Sequence, residues 1–418
     1  MRSSGVWPAA ISLLAVSTTW GVASLAAQHG GSMGTGHHGA ARTDGANGCA
    51  EPTLRCATVV MPSVAPDGAL WIAWTAAGRV FVSRSGDFGR TFAQPISITA
   101  APVTLDAGAD ARPQIVVDRK GRIVVSYVVM RGDKYVGQVM VSHSADGGAT
   151  FSPPRPISDG VASQRFISLV LDDTDAIFAT WVDKRRLLDA GRAGTPFAGA
   201  SLAIAWSNDG GQTFEPARMV HDHTCECCRL AVAFKGPRRP AVLLRNIFDG
   251  ERDHAVLTLG PQDAVGRVAR VSEDRWRIDA CPHHGPSLAI DSDGVYHVTW
   301  FSGGGQRRGL FYARSIDGGQ TFSAPMPIGA AGRQPGRPYV LANSNRLWLA
   351  WKEFDGERST IYAMSSRDGG RTWIDPRMVA ATDNYSDHPL LIARGGQAFL
   401  SWMTRADGYR VIALEPKS

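Results

Sequence analysis

The sequence predicts an all-β chain folded as a β-propeller of four-stranded antiparallel blades, and three observations predict it. One octad, Ser-x-Asp-x-Gly-x-Thr followed by Phe or Trp, occurs five times. A looser unit, two apolar strands around a tight turn, recurs about every 53 residues. No long helical pattern appears. A unit of that size is the size of one blade.

The octads are Ser85–Phe92, Ser144–Phe151, Ser207–Phe214, Ser315–Phe322 and Ser366–Trp373. In each, the Asp carboxylate can accept hydrogen bonds from backbone N–H groups ahead of it, and the Gly permits positive φ. The closing aromatic can tuck under the turn as an apolar peg. The segments just ahead read as short strands: Val80–Val82, Val139–Val141, Leu202–Ile204, Leu310–Tyr312 and Ile361–Ala363. Each octad is therefore a corner between two strands. These octads resemble the Asp-box, or bacterial neuraminidase repeat, of the sialidase-like β-propellers. The resemblance implies that the box is architectural and lies on the blade periphery, away from the catalytic face.

The looser unit is marked by its turn: Gly68, Gly121, Thr174, Gly236, Gly294, Asn345 and Gly396. These markers give seven units, hence seven blades, with six as the alternative. Unit four, residues 223–275, lacks the octad. Unit seven has room for only three strands before Ser418, and the segment around Cys49–Cys56 is placed to supply the fourth.

The 418 residues divide into three parts. Residues 1–27 read as a secretory signal: Arg2, an apolar run from Val6 to Val22, then small residues up to Ala27. Residues 28–48 are Gly- and His-rich and read as a disordered tail, in which His29, Met33, His37 and His38 could catch copper. Residues 49–418 are the propeller. No other segment could cross a bilayer, so the mature protein is expected in the periplasm or secreted. The net charge of +6 comes from scattered basic residues, with no Lys/Arg run and no nucleic-acid-binding motif. That pattern suits solubility or an anionic ligand and argues against nucleic acid.

In a propeller, the segment entering the first strand of each blade lies on the face where ligands bind. About nine residues before each turn marker stand Arg112, Arg165, Cys227-Cys228-Arg229, His283-His284, Arg337 and Asp387-His388. The arrangement predicts that Arg112, Arg165, Arg229, Arg337 and His388 converge on one axis as binders of a small anionic ligand. It also gathers a Cys/His cluster from units four and five: Cys225, Cys227, Cys228, Cys281, His283 and His284, with His223 beside them. Three chemistries fit: disulfides, expected in an exported chain with six cysteines; a copper or zinc site; and a redox-active thiol pair. The spacing Cys-x-Cys-Cys matches no zinc-ribbon template.

Sialidases use an arginine cluster for the substrate carboxylate, a Tyr nucleophile assisted by Glu, and an Asp acid/base. Asn384-Tyr385-Ser386 looks like the Tyr-Ser near the end of those enzymes. The resemblance therefore implies Tyr385 as nucleophile, Glu226 or Glu251 as its partner, and Asp106 or Asp110 as the acid. The chain departs from the family in lacking the Arg-Ile-Pro motif: the first unit reads Val59-Val60-Met61-Pro62. Three functions are open to such a chain. One is a propeller with a Cys/His/Arg ligand or metal site, in copper handling outside the cytoplasm. Another is an exo-glycosidase acting on an anionic sugar or glycan. The third is a scaffold with a protein partner.

Overall fold

The computed structural model describes residues 52–132, 136–280, 282–343 and 346–415. The predicted signal and tail, Cys49, Cys281 and the turn marker Asn345 lie outside the described residues. Among the described residues no helix is long and apolar enough to cross a membrane.

The strands follow the units in chain order, and each pairs antiparallel with the next. The first sheet is β1 (Val59–Val64), β2 (Leu70–Ala76), β3 (Arg79–Ser85) and β4 (Ile96–Ser97). The second is β5 (Gln114–Val117), β6 (Ile123–Arg131), β7 (Val136–Ser144) and β8 (Arg155–Pro156). An eight-stranded sheet comes third. Its first half is β9 (Gln164–Leu171), β10 (Ile177–Asp183), β11 (Ala200–Ser207) and β12 (Arg218–Thr224). Its second half is β13 (Ala231–Phe234), β14 (Pro240–Phe248), β15 (Glu251–Leu259) and β16 (Val265–Arg270). The halves meet at a single pair, Thr224 against Asn246. Next come β17 (Ser287–Ile290), β18 (Tyr296–Gly303), β19 (Arg308–Ser315) and β20 (Met326–Ile328), then β21 (Gly336–Asn343), β22 (Arg346–Phe354), β23 (Ser359–Ser366) and β24 (Arg377–Thr382). The last sheet has three strands, β25 (Leu390–Arg394), β26 (Gln397–Thr404) and β27 (Gly408–Ala413). The first strands of successive groups pack in cyclic order, β1, β5, β9, β13, β17, β21 and β25, and β25 packs back against β1.

Each octad leaves the third strand of its group and leads toward the fourth, and one hydrogen-bond set repeats. In the fourth copy, Ser315 Oγ donates to Asp317 Oδ1 at 2.7 Å and accepts from the Gly319 N–H at 2.9 Å. Thr321 gives its N–H to Oδ1 at 3.0 Å and its hydroxyl to Oδ2 at 2.5 Å. Only a residue without Cβ fits the second glycine: at Gly370, with φ +76°, a Cβ would come within 1.9 Å of the Tyr312 hydroxyl. The closing aromatics Phe92, Phe151, Phe214, Phe322 and Trp373 are half-buried and pack against the cores of the sheets.

The same bonds hold the octad carboxylates below the usual range. Asp146 is brought down to about 2, chiefly by the Thr150 hydroxyl, and Asp87, Asp209, Asp317 and Asp368 are lowered too. A lowered folded-state pKa contributes stability above the unfolded value of about 3.9, lost as pH falls through the folded value. The melting temperature should therefore fall steeply between about pH 4 and pH 2. An Asp146→Asn variant should start lower and fall less steeply over that window. Parallel melting curves for the two proteins would contradict this account.

The core of most units is built on a tryptophan near the end of the second strand. Trp74, Trp181, Trp300, Trp351 and Trp402 are fully buried, and each indole N–H is bonded: to Ser83, Asp183, Asp274, Glu353 and the Asp387 carbonyl. Strand β14, in unit four, has no tryptophan and buries Arg245 instead.

One expectation is corrected. Residues 52–58 do not add a strand to the last sheet: Leu54–Cys56 form a 3-10 turn, and Leu54 and Cys56 pack in the same core as Tyr409 and Val411. Cys56 is disulfide-bonded. A helix, α1 (Arg185–Ala193), is inserted between β10 and β11 and lengthens the third unit. None of its residues is buried, so it left no apolar stripe for the sequence to show.

Candidate functional site

The segments entering the first strands meet on one face, held there by ion pairs across the ring. Arg112 grips Asp387 with both terminal nitrogens at 2.9 Å, joining residues 275 apart, and also donates to the Val60 carbonyl at 2.7 Å. Arg165 holds Asp106 through two bonds of 2.6 and 3.0 Å. Arg229 and Arg337 share Asp110, at 3.5 and 3.0 Å, and His388 Nδ1 lies 3.8 Å from the same carboxylate. Arg112, Arg229 and Arg337 lie close enough to feel one another's charge, Arg165 is held separately on Asp106, and each of the four is answered by a carboxylate. The segments are sharply bent: Phe166, His283 and Arg337 have φ of 56°, 46° and 59°, a conformation L-residues adopt only where the surroundings impose it.

Beside Arg337 a cleft of about 560 Å³ opens between the last two units, lined by His284, Arg337, Lys352, Tyr385, Ser386 and His388 among others. Lys352 donates to the Ser386 hydroxyl at 2.7 Å and to its carbonyl at 3.3 Å. Burial, reinforced by the Arg337 charge, brings its ammonium down to about 8. His388 and His284 are held neutral by burial and the neighbouring arginines.

Tyr385 opens into this cleft with half its surface exposed, and its hydroxyl donates to the Thr58 carbonyl at 3.4 Å. Desolvation and the nearby Asp387 push the phenol up to about 12. The carboxylates expected to serve it line no part of the cleft: Arg165 holds Asp106, and Lys184 pairs with Glu226. Glu251 pairs with Arg270 and Arg277. The structure therefore does not gather Tyr385, Glu226 and Asp106 into one cleft, because nearer cations capture both acids.

Beneath the face lies the second cluster. Cys225 Sγ is 3.6 Å from Cys227 Sγ and 3.5 Å from Cys228 Sγ, and all three sulfurs lie within 4.8 Å of one another. No disulfide links the three, since a disulfide needs about 2.05 Å. They are buried in the apolar core of units three and four. His283 and His284 stand outside the group: His284 stacks on Phe301 at 4.0 Å and lines the cleft, and His283 sits beside Phe166. His223 hydrogen-bonds the Ala198 carbonyl.

Around the sulfurs stand groups outside the set expected from the sequence. Arg252 donates to Cys225 Sγ at 3.6 Å. Arg245 accompanies the Cys225 backbone, its carbonyl accepting the Cys225 N–H at 2.8 Å. Its guanidinium lies 4.4 Å over Trp276, donates to the carbonyls of His284 and Phe301, and leaves Nε and Nη1 without a partner. With Nη2 on two carbonyls and its other nitrogens unpartnered, the guanidinium meets no carboxylate among the described residues. A buried guanidinium needs a counter-charge, and the Cys225 thiol can supply it. Hydrogen bonds from Cys227 and Cys228, with help from Arg245, hold that thiol well below its usual range; Cys228, hydrogen-bonded to it and buried, is pushed up. His254 is buried and neutral nearby, its Nε2 without a partner. Arg245 could have been found: it breaks an otherwise apolar strand, Ala241-Val-Leu-Leu-Arg, near where other units place a tryptophan. Lys352, directly after Trp351, carries the same signal.

No protein-family model matches the chain, and no curated protein is similar to it in sequence. Solved structures resemble it in fold. A family 25 polysaccharide lyase, an ulvan lyase bound to -[GlcA(1-4)Rha3S]-, superposes with a TM-score of 0.55 at 10% identity, covering 84% of this chain and 90% of the lyase. A leech intramolecular trans-sialidase complexed with 2,7-anhydro-Neu5Ac gives 0.49 at 11% identity over 84% and 83%. A Dyadobacter fermentans protein of unknown function gives 0.48 at 16% identity over 72% and 92%. At these identities the likeness concerns architecture: the chain has a propeller fold built of antiparallel, mostly four-stranded sheets.

Proposed function

We propose that this chain is an exported, seven-bladed propeller that binds an anionic sugar in the cleft between Arg337 and Lys352. The observation that carries the reading is the pairing of those two cations on the wall of one open cleft. Asp110 is the acid paired with Arg337, and Lys352 pairs with no acid among the described residues. A carboxylate or sulfate there would accept from both, and a guanidinium fork suits a planar carboxylate. Support comes from the fold, shared with a lyase whose bound oligosaccharide carries a uronate and a sulfate. Seven blades are supported by the cyclic packing of the first strands, with the eight-stranded sheet counted as two blades bridged at Thr224.

Calorimetric titration with a glucuronate oligomer, a sialoside and a neutral sugar of the same length tests the reading. Arg337→Ala should weaken the anionic ligands at least tenfold, about 1.4 kcal/mol. Lys352 must be protonated to attract an anion, so affinity is full below about pH 8 and declines as pH rises through it. Equal binding of the neutral sugar, or no change in Arg337→Ala, would remove the proposal.

Tyr385 in the same cleft favours a second reading, hydrolysis of a sialoside-type substrate with Tyr385 as nucleophile. Turnover of a fluorogenic sialoside, abolished in Tyr385→Phe, would support it; turnover that survives the substitution would remove the tyrosine from the chemistry.

A further inference from the structure

We propose that Ser386 and Lys352 form a serine–lysine dyad that hydrolyses O-acyl esters on the sugar held in the cleft. The substrate class rests on the reading of the cleft as a sugar site; the dyad does not. Lys352 Nζ stands 2.7 Å from the Ser386 hydroxyl, within reach of a direct proton transfer. The same nitrogen donates to the Ser386 carbonyl at 3.3 Å. That bond orients the amine through one N–H and leaves its lone pair for the hydroxyl. Both side chains line the open cleft, and Gly336, opposite Lys352 on β21, adds no side chain there. The serine is held still from both sides. The Tyr385 carbonyl accepts the Arg405 N–H at 3.0 Å, and the Asp387 N–H donates to the Met403 carbonyl at 2.9 Å.

A lysine acts as a base only when neutral, and this one gives up its proton readily. Burial brings its ammonium down to about 8, with help from Arg337 on β21, while Asp387 on the segment opening the last unit opposes the shift. The other titratable groups on the cleft wall are His284 and His388, both neutral, and Tyr385, pushed up to about 12. Glu357 and Asp383, both exposed, complete the charged lining. At neutral pH about a tenth of the lysine is therefore the free amine. As Ser386 Oγ bonds to the ester carbonyl carbon, its proton passes to Nζ and the carbonyl oxygen takes the negative charge. The Arg337 guanidinium on the same wall is the cation available to that charge. The bond to the alcohol then breaks, and Nζ returns the proton to the alcohol oxygen. Water repeats the sequence on the acyl-serine, giving the carboxylic acid and the free serine.

The test uses the full-length protein, and its first step needs no variant. A fluorophosphonate should modify Ser386 in the wild-type protein, as read by peptide mass spectrometry. Hydrolysis of p-nitrophenyl acetate, corrected for the uncatalysed rate, should rise about tenfold between about pH 7 and pH 9. A lysine that only tethers the Ser386 carbonyl would leave that rate flat. Ser386→Ala and Lys352→Arg, each checked for folding by circular dichroism, should lose about a hundredfold or more. No label on Ser386, a rate independent of pH over that range, or full activity in either folded variant would overturn the dyad. An O-acetylated glucuronate oligomer should lose its acetyl groups as well; an oligomer that binds and keeps them would overturn the substrate class. Failure of every oligomer to bind, with Ser386 still labelled and the small ester still hydrolysed, would overturn the sugar reading and leave the dyad.

Discussion

Replacing Arg112 with Met is expected to destabilise the fold by about 3–5 kcal/mol, the usual cost of removing one partner of a buried pair. The side chains of Arg112 and Asp387 are 5% and 2% exposed, so the remaining carboxylate could not recover its loss in water. The pair also has a topological role. It ties the segment before the second unit to the segment that opens the last, and Asp387 accepts the Val60 N–H at 3.2 Å in the first. The exposed pair between Arg84 and Asp67, 46% and 61% exposed, is the internal control. Arg84→Met should change stability by about 0.5 kcal/mol or less. Denaturant unfolding of both variants reads the contrast. An Arg112→Met protein as stable as the Arg84→Met protein would show that the ring closes without this bond.

Replacing Asp110 with Asn should move stability and binding in opposite directions. Asp110 is the carboxylate shared by Arg229 and Arg337, and its side chain is 7% exposed. Losing its charge leaves two guanidiniums without their counter-ion, at a cost of about 3 kcal/mol. The same change frees Arg337 and makes the cleft more positive, so a glucuronate oligomer should bind about tenfold more tightly, about 1.4 kcal/mol. A merely structural role for Asp110 would lower stability and leave affinity alone. Calorimetry on the folded variant at a temperature well below its melting point distinguishes the two.

The legible part of the chain was local. Each octad's bonds run between residues two to four apart, as from Thr91 and Ser85 to Asp87, so the turn is written in consecutive letters. The repeat spacing and the tryptophans of the second strands are likewise periodic. That Arg112, Arg229, Arg337 and His388 stand near one another was foreshadowed as well, because a propeller places equivalent positions of its units on one face. What those segments do to one another was not. Arg112 finds Asp387 across 275 residues, Arg337 finds Asp110 across 227, and Arg165 finds Asp106 across 59. No spacing announces such partners. An arginine expected to grip a ligand turned out to be gripped itself, and Tyr385 lost the acids it was expected to have.

The order of residues alone therefore set the repeating unit, its turn chemistry and the face toward which its charged and sulfur-bearing residues gather. Those properties depend on hydrogen bonds and packing within a few dozen residues. The closed ring decided which charges cancel, which remain at the wall of a cleft, and that Arg245, Arg252 and His254 surround the three sulfurs. Electrostatic partnership is set by distance in space and by exclusion of water. Both are fixed only when units far apart in the chain have closed on each other.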